Sequence, residues 1–463
     1  MKIKRLPIFT ALICASFISV NAANPNGGLT IKDIERMRNE FQPSPAEKAL
    51  RNALNYTDID KLATSTDANL STSMDFTYRV PSKGITDQKS SGRCWLFTGL
   101  NVLRGQAINR FDLGELQLSQ VYNFFYDQLE KSNLFLQTVI DTAKEPFDNR
   151  KVEWLFHYPL SDGGQYTGVS DILTKYGVVP ASVMPETYTA EHTSQFNKIL
   201  SLKLREYGLE LRKMVAEGKK AAAISKRKEE MLSQIFNMLA KVYGVPPTQF
   251  EYTMKDAKGN ILGSKTYTPQ EFYTDFFGNN LTDDYVMIMN DPTRPYYAMY
   301  EIDMDRHTYD GNNWKYLNLP MDELKEIAVE SLKDSTMMYF SCDVKKQLNS
   351  SKGTLDVNNY DYESLFGTTF GMDKKDRILT GASGSTHAMT LVGVDLNAEG
   401  KPTRWLIENS WGNGANSGHL IASDPWMDEY LFRLVVEKKY VPEKYGNILA
   451  SKPTLLPAWD YMY

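Results

Sequence analysis

Cysteine and histidine are scarce in this chain, with three and five copies among 463 residues. Cys14 sits in an N-terminal apolar run, which leaves Cys94 and Cys342 beyond it. One pair at most does not make a disulfide framework, even in an oxidising compartment. There is no His-Glu-x-x-His, no Cys-x-x-Cys and no phosphate-binding Gly-rich Lys-[Ser/Thr] motif. Zinc peptidases and nucleotide enzymes therefore have no support, and no metal or cofactor is called for. A basic excess is missing too: 52 Lys+Arg stand against 57 Asp+Glu, a formal charge of −5. That argues against a general affinity for DNA or RNA. The basic cluster Lys219-Lys220 with Lys226-Arg227-Lys228 is interleaved with Glu217, Glu229 and Glu230, the pattern of a solvated helix face.

Long apolar runs are also lacking. Ile8 to Val20 falls well short of the ~20 residues a membrane span needs. Lys2, Lys4 and Arg5 precede that run and Val20-Asn21-Ala22-Ala23 ends it, the layout of a secretory signal cleaved after Ala22. Cys14 follows Ile13, a poor setting for a lipoprotein cleavage site. Loss of residues 1–22 removes three bases and no acids, leaving 49 Lys+Arg and a charge of −8. The expected product is exported, periplasmic or secreted, without a membrane span.

What is present centres on Thr86-Asp87-Gln88-Lys89-Ser90-Ser91-Gly92-Arg93-Cys94-Trp95. Ser90, Ser91 and Gly92 are turn residues, and Leu96, Leu100, Leu103 and Ala107 then recur at helical spacing. A cysteine in the first turn of a helix meets the positive end of the macrodipole, which favours thiolate. Gln88 can present an amide N–H beside the cysteine's own backbone N–H, and two such donors suit a tetrahedral oxyanion. A lone cysteine opening a helix is more often buried and inert; the glutamine, the glycine turn and Trp95 shift the reading towards a nucleophile. A Cys94–Cys342 bridge would disable it, so both thiols are expected to be free.

The base is sought among His157, His192, His307, His387 and His419. Four lack a supporting setting and read as surface or satisfied structural residues. His387 stands in Gly384-Ser385-Thr386-His387-Ala388-Met389, a glycine-led entry into an apolar strand. A second strand, from Arg404, ends in Asn409-Ser410-Trp411-Gly412. An asparagine there can accept the histidine's other N–H, while Trp411 shields that bond from water.

The ordered set Gln88, Cys94-Trp95, His387 and Asn409-Ser410-Trp411-Gly412 resembles the papain-like cysteine peptidases. Asp87-Gln88-Lys89-Ser90-Ser91-Gly92-Arg93-Cys94-Trp95-Leu96-Phe97 is similar to the bleomycin hydrolase and aminopeptidase C branch. The resemblance implies an α+β papain-like fold, a helical left domain and a β-rich right domain, with a large mostly helical insertion. His387 lies 293 positions after Cys94, against ~130–150 in papain-type enzymes. The Lys/Glu/Leu-rich block and an Asp256–Asn260 hairpin turn account for the excess.

The expected parts are a signal peptide 1–22, an N-terminal arm 23–75, a helical domain 76–190 and an insertion 191–320. A β-rich domain 321–455 and a C-terminal arm 456–463 follow. Gln117–Tyr126 is expected as a core helix. By resemblance, Gly163 and Gly164 expose backbone to an extended peptide, and the chain is a homohexamer acting on peptides. The relatives' ends enter the cleft and meet the substrate's α-ammonium with a carboxylate. Here Leu456-Pro457-Ala458-Trp459-Asp460 matches and Tyr461-Met462-Tyr463 follows without the relatives' short tail. Tyr463 is the expected carboxylate, in a shorter arm that leaves more of the cleft open. The expected activity is aminopeptidase action. Internal or dipeptide-releasing cleavage at the same site, an idle binding protein and a serine hydrolase using Ser383 or Ser385 stand as alternatives. Neither serine lies in Gly-x-Ser-x-Gly.

Overall fold

The computed structural model describes residues 27–278 and 280–462. The expected signal segment and Tyr463 lie outside the described residues. Contacts divide the chain after Ala63 into two compact units, inside the span expected for the N-terminal arm. In the first unit, helices Ile31–Glu40 and Pro45–Leu54 begin at Thr30 and Ser44. Each hydroxyl accepts a backbone N–H three residues on, and Asp33 or Glu47 reaches back to complete a capping box.

In the second unit, twelve strands form one sheet among the described residues. Its middle runs Tyr285–Met289, Leu431–Glu437, Met338–Cys342, His387–Leu396, Pro402–Glu408 and His419–Ser423, each antiparallel to its neighbour. The first eight residues of His387–Leu396 are all buried. Alternate residues of a strand face opposite sides, so both faces of this strand are covered. The run Ala388-Met389-Thr390-Leu391-Val392 is apolar enough to allow it. Strands Ala298–Ile302 and Lys315–Asn318 continue the sheet beyond Tyr285–Met289. The helical part of 191–320 is mainly Thr193–Ala216 and Ala221–Tyr243. Arg227 there pairs with Glu210 and Glu230 at 2.7 and 3.1 Å. The hairpin Phe250–Lys255 with Ile261–Tyr267 turns at Asp256, whose Oδ1 accepts N–H groups of Lys258 and Asn260.

Helix Cys94–Phe111 packs on His387–Leu396. Leu96, Leu100, Leu103 and Ala107 are all buried, and burying each leucine contributes about 1.5–3 kcal/mol. Arg104 of this helix meets Glu408 at 3.0 Å with both side chains almost wholly buried. The expected core helix begins at Gln120, three residues later than Gln117, and runs to Asp141. Ser119 sets the start by accepting the Tyr122 N–H. Among the described residues no helix is long and apolar enough to cross a membrane.

Candidate active site

Cys94 is the first residue of its helix, where backbone N–H groups have no intrahelical carbonyl to meet. The N–H groups of Ala388, Trp95 and Cys94 itself bear on the thiol and favour its charged form. Burial outweighs them and pushes the thiol up to about 11. Ala388 follows His387, so the start of that strand lies against the Cys94 thiol.

His387 is buried, and its Nε2 lies 2.9 Å from Asn409 Oδ1. That contact makes Nε2 the protonated nitrogen in the neutral ring and leaves Nδ1 for the thiol side. The Trp411 ring stacks on the imidazole at 4.8 Å and 30°. Burial lowers the imidazole to about 4, against the opposing pull of Asn409. Asn409 Oδ1 is fixed in turn by the Ser410 N–H at 2.8 Å.

Gln88 is held from three sides. Its backbone N–H donates to Ser410 O at 2.8 Å, and Oε1 accepts from Ser410 Oγ at 2.7 Å. One Nε2 hydrogen goes to Ser91 O at 2.6 Å. An amide nitrogen carries two, so one donor remains. Gln88, Cys94, His387 and Trp411 border a single cavity of about 840 Å³.

Gly163 and Gly164 line the same cavity. A Cβ on Gly164 would stand 2.1 Å from His307 Cε1, so only glycine fits there. Asp162 before them accepts the Gly92 N–H at 2.8 Å on Oδ2, and its carbonyl accepts Trp95 Nε1–H at 2.9 Å. It thereby ties the loop before Cys94 to the glycine pair. Arg93, fully buried, pairs with Glu186 at 2.8 Å and braces the same loop.

Ser383 donates to Asp343 and Ser385 to Ser341, each at 2.8 Å, which engages both hydroxyls away from a histidine. Cys94 and Cys342 are both free, as expected.

A sequence profile of the Peptidase C1-like family matches residues 28–463. The chain belongs to that family. Aminopeptidase C of Streptococcus thermophilus is 36% identical over 431 residues, covering 92% of this chain and 97% of that protein. Human bleomycin hydrolase is 39% identical over 399 residues, covering 84% and 88%. The crystal structure of PepW from Lactobacillus rhamnosis superposes with a TM-score of 0.91 at 38% identity, covering 94% of this chain and 99% of that one. This Peptidase C1-like protein is a cysteine peptidase with a papain-like α+β fold.

Several groups around the peptidase's cavity carry no sequence motif. His307 is satisfied, as the sequence suggested, but by Asp127 Oδ1 at 2.5 Å and at the border of the cavity. Lys131 joins Asp127 at 3.0 Å and donates to Gly163 O at 2.6 Å. Ser410 stood in the Asn-Ser-Trp-Gly motif without a role of its own. Its hold on Gln88 crosses 322 positions, a pairing that no spacing rule reveals.

Proposed function

We propose that the chain is an exported aminopeptidase that works through Cys94, His387 and Asn409, with Gln88 completing the oxyanion site. The observation that carries the reading is the grouping of the Cys94 thiol, the Ala388 N–H and His387, whose Nε2 is already committed to Asn409. The thiol proton passes to His387 Nδ1, and Sγ attacks the peptide carbonyl carbon. Burial opposes each charge alone; here both arise together, as neighbours that attract each other. The carbonyl oxygen takes the charge and meets the Cys94 N–H and the free Nε2–H of Gln88. His387 then protonates the leaving nitrogen as the C–N bond breaks, leaving a thioester. Water, deprotonated by the same imidazole, releases the acid and restores the thiol. Gly163 and Gly164 offer backbone to the residues before the scissile bond.

Aminopeptidase action is supported by the relatives named Aminopeptidase C. Digestion of a peptide library by reduced, mature protein, read by mass spectrometry, tests it. Stepwise loss of single N-terminal residues is expected; internal cuts in N-acetylated peptides would refute the aminopeptidase mode. Residues 1–22 are read as a cleaved export signal, with peptides as substrates of a periplasmic or secreted homohexamer. Cell fractionation with N-terminal sequencing and light scattering of the mature protein test those two points.

A further inference from the structure

Lys131 borders the cavity that Cys94 and His387 share, yet its ammonium is not open to a ligand. It stands one turn after Asp127 on helix Gln120–Asp141, with its side chain 11% exposed. An ammonium carries three N–H groups. Here they have three acceptors: Asp127 Oδ2 at 3.0 Å, Ser161 O at 3.1 Å and Gly163 O at 2.6 Å. The mechanism above uses none of these contacts.

Those contacts decide how the glycine pair faces. From Ser161 to Gln165 every carbonyl but one has a donor. Gln128 and Lys131 reach Ser161 O, the Trp95 indole reaches Asp162 O, Lys131 reaches Gly163 O and the Gly168 N–H reaches Gln165 O. Gly164 is the exception. Among the described residues neither its N–H nor its carbonyl has a partner, and it borders the cavity half-buried. A peptide unit is planar and trans, so its C=O and N–H point opposite ways. Lys131, on Gly163 O, therefore turns the Gly164 N–H away from itself. His307 Nε2 accepts the Gln165 N–H at 3.4 Å and so turns the Gly164 carbonyl in the same manner. Without such holds, two consecutive glycines would rotate with little resistance.

Asp127 joins the two holds. Its Oδ1 meets His307 Nδ1 at 2.5 Å, while Oδ2 meets Lys131. Burial opposes a charge on Asp127, but Lys131 and His307 keep the carboxyl below its usual range. Burial and the nearby Lys131 push the His307 imidazole down to about 4. At neutral pH the ring is therefore uncharged, with Nδ1–H on Asp127 and Nε2 as the acceptor. It also fills the space behind the loop, since a Cβ on Gly164 or Gly168 would run into it.

We infer that Lys131 is a positioning residue for the substrate: with Asp127 and His307 it holds the two peptide units around Gly164 so that the Gly164 N–H and carbonyl face the backbone of the bound peptide. The inference rests on the reading of the glycine pair as a peptide-pairing edge and names what orients it. Substitution of Lys131 should then act on binding and spare the thiol and the base.

Full-length reduced protein is compared with Lys131→Met, with a double variant, Lys131→Met with Asp127→Asn, and with Gly163→Ala, all on one free-amine peptide. The double variant removes both charges, so no buried carboxylate is orphaned. Gly163→Ala adds a methyl that meets only Ser161 Oγ, at 3.2 Å, and so probes the glycine pair independently of Lys131. Iodoacetamide alkylation and thermal melts report on the Cys94 thiol and the fold. Both Lys131 variants should raise KM about 5–20-fold, the worth of one or two hydrogen bonds, with kcat within about twofold and alkylation at the wild-type rate. Should Lys131→Met fail to fold, the double variant decides; failure of both would make Lys131 structural and overturn the inference. A wild-type KM in a folded Lys131 variant, with KM raised in Gly163→Ala, overturns the inference and leaves the glycine-pair reading standing. Parallel losses of kcat and alkylation also overturn it, since Lys131 would then support the thiol. A wild-type KM in all three variants would refute the glycine-pair reading itself.

Discussion

Ser410 Oγ donates to Gln88 Oε1 at 2.7 Å, and the neighbouring Asn409 accepts from His387 at 2.9 Å. One short segment thus holds both the amide proposed to meet the oxyanion and the residue proposed to orient the base. With Oε1 taken, the Gln88 amide is fixed with its nitrogen towards Ser91 O, and its second N–H stays free. Ser410→Ala should therefore lower kcat about 3–10-fold with KM little changed, since the side-chain amide loses one of its two anchors. Steady-state kinetics on a free-amine peptide check this, and an unchanged kcat would show that Gln88 needs no such anchor.

Asn409→Ala acts on the other side of the same segment. Asparagine lends no charge, so the imidazole loses its orientation and the acceptor for Nε2–H. A fall in kcat of about 10–100-fold is expected, less than for loss of the nucleophile. Stopped assays with matched thermal melts separate this from unfolding.

The proposed mechanism makes the pH response of the thiol depend on His387. Beside a neutral imidazole, burial pushes the Cys94 thiol up to about 11, and His387→Ala removes the one imidazole that could take its proton. Being an acid with a raised pKa, it is neutral at pH 7, and its thiolate fraction grows tenfold per pH unit. In His387→Ala, iodoacetamide alkylation at pH 7 should be nearly lost and should climb towards pH 11. Wild type should alkylate rapidly at pH 7. Equal rates in both proteins would show that His387 does not activate the thiol.

Glu408→Ala tests the fold beneath the site. It leaves Arg104, on helix Cys94–Phe111, charged and buried without its partner at 3.0 Å. Such an orphan costs about 3–5 kcal/mol. A clear drop in the denaturant midpoint is expected, with activity per folded molecule also reduced because Asn409 follows directly. Wild-type stability would show that the pair is replaceable.

The sequence revealed the strongest local signals. Cys94 at a helix start, His387 at the head of an apolar strand and Asn409 at the end of the next all follow from patterns within about ten residues. The α+β class followed from the resemblance that these motifs carry to the papain-like cysteine peptidases. Contacts between distant segments were not legible. His307 looked isolated because Asp127 stands 180 positions away. Asp162 was visible only as the residue before two glycines, although it clamps the loop of Gly92 and the Trp95 ring. The start of the core helix moved to Gln120 because Ser119, a hydroxyl residue suited to capping, ends the preceding segment.

The most direct test compares purified, reduced Cys94→Ala and Cys342→Ala proteins on a free-amine peptide. Cys342 is a buried thiol opposite His387 in the sheet, with no helix start and no place at the cavity. The account predicts no measurable hydrolysis by Cys94→Ala, with melting like wild type, and turnover within a few-fold of wild type for Cys342→Ala. Substantial hydrolysis by Cys94→Ala would contradict it.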